Sequence, residues 1–67
     1  MPTIYLDGPP VTDLERKRQV VKEVTEAASR YYKIPEEAMV VIIKENPAEN
    51  VGLGGKLLAD RQRPDTA

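Results

Sequence analysis

Sixty-seven residues with 10 basic and 11 acidic side chains, a formal net charge of −1, and no cysteine or histidine allow one small domain. A disulfide framework is excluded, and a structural zinc site has none of the thiolate or imidazole ligands it uses. Near-neutral charge with only three aromatics, Tyr5, Tyr31 and Tyr32, argues against nucleic-acid binding.

Residues Thr3 to Leu6 alternate in character, with Ile4 and Leu6 on one side and Thr3 and Tyr5 on the other. That pattern predicts a short strand almost at the N-terminus. Asp7-Gly8-Pro9-Pro10 should stop it, because two consecutive prolines cannot donate to a ladder. Thr12-Asp13-Leu14-Glu15 reads as a capping box, with Thr12 as N-cap and Glu15 reaching back from the third helical position. A helix should then run to about Tyr32 on an apolar stripe of Leu14, Val20, Val21, Val24, Ala27, Ala28 and Tyr31. Pro35 ends it, since Ile34 before it is biased away from helical geometry.

Met39-Val40-Val41-Ile42-Ile43 is a continuous, largely β-branched apolar run, too short for a helix and suited to a strand covered on both faces. Strand, helix and strand make a βαβ unit with parallel strands and a right-handed crossover. Gly52-Leu53-Gly54-Gly55 predicts a tight turn or short hairpin, and residues 59–67 a loose polar tail. The fold class is therefore α+β, a single domain over residues 1–67. One helix over two strands cannot cover a run as apolar as residues 39–43. Cover from a second chain is expected, hence at least a homodimer.

No apolar run approaches the roughly 20 residues of a membrane span. Met1 leads into the first strand without a basic leader, so a cytoplasmic location is the default. Without His or Cys, nucleophilic triads and thiol chemistry have no members. Ser29 lies mid-helix, where a solvent-facing or packing role is favoured. The glycine-rich segment lacks the Lys-Ser/Thr pair of a phosphate loop.

Met1-Pro2 remains. Methionine is readily removed before a small residue such as proline, which would expose a secondary ring amine. An ordinary α-amino group titrates near roughly 8, and an apolar pocket or a nearby cation pulls it toward neutrality. Such an amine is a general base at neutral pH. With Met1 attached, the nitrogen is a tertiary amide and accepts no proton.

Pro2 opening a strand, the capped helix, the Val-Ile-Ile strand and Asn50-Val51-Gly52-Leu53-Gly54-Gly55 together resemble the 4-oxalocrotonate tautomerase family. The resemblance implies a βαβ protomer with a C-terminal hairpin, dimers joined into a four-stranded sheet against two helices, and a homohexamer of three dimers. It also implies a cofactor-free, metal-free isomerase whose amino-terminal proline, Pro2, moves a proton through a dienol of an unsaturated 2-keto or 2-hydroxy acid. Small-molecule substrates are implied as the partner, without nucleic acid or membrane. The family's two arginines match Val11 or Thr12 and Val40 here, and its pocket aromatic matches Val51. Pro9 falls where the family offers a backbone N–H.

Val40 and Val51 are therefore expected to line the pocket, with Lys44 and Arg61 the candidate cations for a carboxylate; for each cation a solvated surface charge is the competing reading. Glu45 and Asn50 read as turn residues. Hydratase, dehalogenase or decarboxylase chemistry on the same fold is an alternative that needs a water-activating carboxylate. A non-catalytic oligomer is a third reading. A ribbon-helix-helix DNA binder would need two helices and a basic strand.

Overall fold

The computed structural model describes residues 1–61. β1 (Thr3–Gly8) leads into α1 (Leu14–Tyr32) and then β2 (Val40–Glu45), followed by the hairpin strands β3 (Gly52–Leu53) and β4 (Lys56–Leu57) and a short α2 (Leu58–Arg61). β1 and β2 are parallel, in a register that sets Thr3 beside Val40 and Gly8 beside Glu45. The expected α+β architecture with a C-terminal antiparallel hairpin is present.

Several boundaries differ from the sequence expectation. β1 runs two residues past Leu6, because Asp7 and Gly8 still pair with Lys44 and Glu45 and the Gly8 carbonyl accepts the Asn46 N–H at 2.8 Å. β2 likewise starts at Val40 rather than Met39 and continues to Glu45. The N-cap of α1 is Asp13 rather than Thr12: its carboxylate accepts the N–H groups of Glu15 at 3.0 Å and Arg16 at 3.4 Å. The helix begins one residue later than the capping box required, and a carboxylate accepts those donors well. Glu15, displaced from the box, instead pairs with Arg18.

At its other end α1 stops before Pro35 has any say. Lys33 adopts the left-handed conformation (φ 59°, ψ 45°), and its N–H and that of Ile34 both return to the Ser29 carbonyl. The Ser29 hydroxyl donates to the Ile34 carbonyl at 2.5 Å, which gives this residue a structural task. In the hairpin, Gly54 and Gly55 carry φ values of +63° and +85°, the pattern of a two-residue turn whose twist matches its strands. Residues 59–61, expected as the start of a loose tail, complete α2. The rest of that expected tail, residues 62–67, lies outside the described residues.

The two faces of the β1–β2 ribbon are unequal. Ile4, Leu6, Val41 and Ile43 are half-buried toward α1, where Val20, Val21, Val24 and Ala28 are half-buried in turn. Leu14, Ala27 and Tyr31 of the expected stripe are exposed; Tyr31 packs edge-on against Tyr32 instead. On the opposite face Tyr5 is 56% and Ile42 38% exposed, so β2 is covered on one side only within the chain. No described residue is fully buried. A single copy therefore has no closed core, which agrees with the need for cover from outside.

Candidate active site

Pro2 precedes β1, and its carbonyl accepts the Val40 N–H at 3.0 Å. This bond fixes the residue at the mouth of the sheet, half-buried, with its ring nitrogen as the first group beyond the ladder. Pro2 and Val40 are thus brought together in one chain.

The other candidates lie at the far end. Lys44 is beside Asp7, four residues along β1 from Thr3, a span of roughly 13 Å at strand rise. Its ammonium sits 4.7 Å from the Tyr5 ring centroid, on the exposed face of the ribbon. Val51 lines a recess with Asp7, Gly8, Pro9, Asn46 and Leu58. The Arg61 guanidinium leans on the hairpin, 3.5 Å from the Leu53 carbonyl. One chain therefore separates Pro2 from Lys44, Val51 and Arg61.

A cleft of about 370 Å³ opens at that far end, between the C-terminal tips of the strands and the first turns of α1. Leu6, Val11, Val20 and Ile43 give it apolar walls, and Arg16, Lys17, Lys44, Asp7 and Glu45 also line it. Glu45, read from sequence as a turn residue, is the last residue of β2 and organises this cleft. Its carboxylate oxygen accepts the Val11 N–H at 3.0 Å and meets the Lys17 ammonium at 3.0 Å. The Val11 bond, reinforced by Lys17, holds the Glu45 carboxyl below the usual glutamate range. Asp7 accepts from the Asn46 side-chain amide. Both acids of the cleft are thus engaged.

Pro9 and Pro10 have no N–H to offer, and the next donor along the loop, Val11, is committed to Glu45. The loop before α1 therefore presents no unengaged backbone donor from residue 9 to residue 11. Sequence reasoning missed Arg16, Lys17 and Glu45 in this place. Their only signal was spacing from the helix start, which does not reveal what the strand tips bring opposite.

Residues 2–61 match the model of the tautomerase enzyme family. The chain belongs to that family. Among solved structures, the chain is similar to DmpI from Archaeoglobus fulgidus, with 42% identity over 88% of this chain and 100% of that one and a TM-score of 0.78. It is also similar to YwhB, described as a homologue of 4-oxalocrotonate tautomerase, with 32% identity over 88% of this chain and 97% of that one and a TM-score of 0.80. A heterohexamer 4-oxalocrotonate tautomerase from Chloroflexus aurantiacus shares the fold, at 22% identity, covering 90% and 97% of the two chains, with a TM-score of 0.78. Comparison with curated proteins finds no match. No helix among the described residues is long and apolar enough to cross a membrane.

Proposed function

We propose that the chain, once Met1 is removed, is a tautomerase that uses the Pro2 ring amine as general base on an enol or unsaturated 2-keto acid. The position of Pro2 carries this reading: a half-buried ring at the lip of the sheet, fixed through its carbonyl by Val40. The amine takes a proton from C3 of the keto acid, leaving a dienol, and returns it to C5. Starting from the enol, it takes the hydroxyl proton and delivers it to carbon. Either way the amine is regenerated, and no redox or group-transfer partner is involved. A base placed in this way contributes on the order of 10² to 10⁴ in rate. Tautomerisation is favoured over water-adding chemistry because Asp7 and Glu45 already have partners, so neither is a spare carboxylate to activate water.

The site is composite. β1 pairs with β2 alone among the described residues, leaving its other edge open for a second copy. In a two-fold antiparallel pairing with both helices on one side, opposed residues must share a face, so the axis passes through a residue. For a pairing that uses the whole of β1, that residue is Tyr5 or Leu6. Pro2 then falls opposite Gly8 or Pro10 of the second copy, at the rim of its cleft. Pairing through β2 would leave Pro2 at an outer edge without cover. The apolar, uncovered face bearing Tyr5 and Ile42 supports association beyond the dimer, with a homohexamer as the expected assembly.

The test is direct. Protein whose intact mass shows Pro2 at the N-terminus should ketonise 2-hydroxymuconate or phenylenolpyruvate. Pro2→Ala should lower kcat by about 10²-fold or more. Activity unchanged by that substitution would remove the mechanism.

A further inference from the structure

The strand-tip cleft carries a charge pattern that proton transfer by Pro2 does not use. Arg16, Lys17 and Lys44 line it beside Asp7 and Glu45, in a chain whose net charge is −1. Lys17 is neutralised by Glu45. The Lys44 ammonium is occupied with the Tyr5 ring on the other face of the ribbon. One residue further along α1, Arg18 is paired with Glu15. Arg16 stands between two ion-paired neighbours, and no described carboxylate lies within ion-pair distance of it. Its backbone N–H is satisfied by Asp13, so its guanidinium is the group left over.

An uncompensated guanidinium beside apolar walls suits a carboxylate, because its planar fork offers parallel donors to both oxygens. Of the two acids, Glu45 is paired with Lys17, and Asp7, which alternates onto the Tyr5 face of β1, accepts from Asn46. The cleft volume also fits a small organic acid. We propose that Arg16 is the carboxylate-binding residue of this site, and that its substrates are enols or 2-keto acids with one carboxylate rather than two. The proposal rests on the composite site, in which Pro2 of a second copy faces the Gly8–Pro10 rim of the same cleft. A substrate anchored at Arg16 then presents its enol toward that amine. On this chain's side of the cleft, a second carboxylate would meet Lys17, already paired, and the apolar walls.

The experiment uses full-length protein shown by mass to begin at Pro2, with wild type, Arg16→Met and Arg16→Lys compared. Phenylenolpyruvate carries one carboxylate and 2-hydroxymuconate two. Wild type should show the higher kcat/KM with phenylenolpyruvate. Arg16→Met should raise its KM about tenfold or more, the scale of a lost charge-assisted contact, with kcat within about twofold. Arg16→Lys should recover part of the loss. Calorimetric titration with phenylpyruvate should weaken by a similar factor in Arg16→Met, while sedimentation shows an unchanged assembly. An unaltered KM and an unaltered phenylpyruvate affinity in Arg16→Met would overturn the role of Arg16. A preference for the dicarboxylate would overturn the substrate class. Wild type inactive on both enols would instead remove the tautomerase reading, and the phenylpyruvate titration would still decide Arg16 by itself.

Discussion

The Glu45 carboxylate accepts the backbone N–H of Val11 at 3.0 Å, tying the tip of β2 to the loop that enters α1. Across 34 positions of sequence, this bond joins the end of the βαβ unit to its first connection. It also draws in Lys17, so one carboxylate fixes both walls of the cleft.

Because Glu45 ionises more readily in the folded protein than in the unfolded chain, its stabilising effect has a defined pH sense. The effect is present in full above the ordinary glutamate pKa and is lost as pH falls through the lowered folded value. Glu45→Gln should therefore be less stable than wild type at pH 7, and the gap should close in acid, below the ordinary glutamate range. Urea titrations of both proteins at neutral and acidic pH, at one protein concentration, check this. A gap that widens on acidification would contradict it.

The cap of α1 makes a prediction that separates two adjacent residues. Asp13→Ala removes the acceptor of two helix N–H groups and should cost about 1 kcal/mol. Thr12→Ala should cost only a few tenths, since Asp13 and not Thr12 caps the helix. Equal losses in denaturant titrations would restore the capping box read from sequence.

Lys33 occupies the left-handed region at φ 59°, where a side chain costs roughly 1 kcal/mol and glycine costs little. Lys33→Gly should stabilise the protein by about 0.5 to 1 kcal/mol after the extra entropy of the unfolded glycine chain is counted. Thermal melts at matched concentration would show a rise of a few degrees. A fall would mean that the Lys33 side chain contributes more than its backbone costs.

The exposed face of β2 gives a test of assembly. Ile42→Glu places a charge on the apolar face that a second copy is expected to cover. Analytical ultracentrifugation should show a smaller species than wild type at the same concentration, and far-UV circular dichroism should show lost structure on dilution. An unchanged sedimentation coefficient would leave Ile42 outside any interface.

What was legible in the sequence is what neighbours in the chain decide. The order of strand, helix, strand and hairpin followed from periodicities and turn residues, and Gly54-Gly55 marked the turn that positive φ values require. The apolar run at residues 39–43 also announced its need for cover beyond one helix. Boundaries were less legible, because Asp7 and Gly8 have no strand character of their own and are held extended by Lys44 and Glu45.

The candidate site divided along the same line. Pro2 could be named as the proposed base from its place at the chain's start, while its bond to Val40 came only from the structure. The cleft was not readable, because nothing local relates Glu45 to Val11, or sets Arg16 beside Ile43 and Leu6. The parallel register decides those meetings by bringing both strand tips under the first turns of α1. Sequence alone determined which elements form and which ring amine is the candidate base. Only the tertiary structure decided that Pro2 and the charged cleft occupy opposite ends of one chain, because a six-residue strand separates them rigidly.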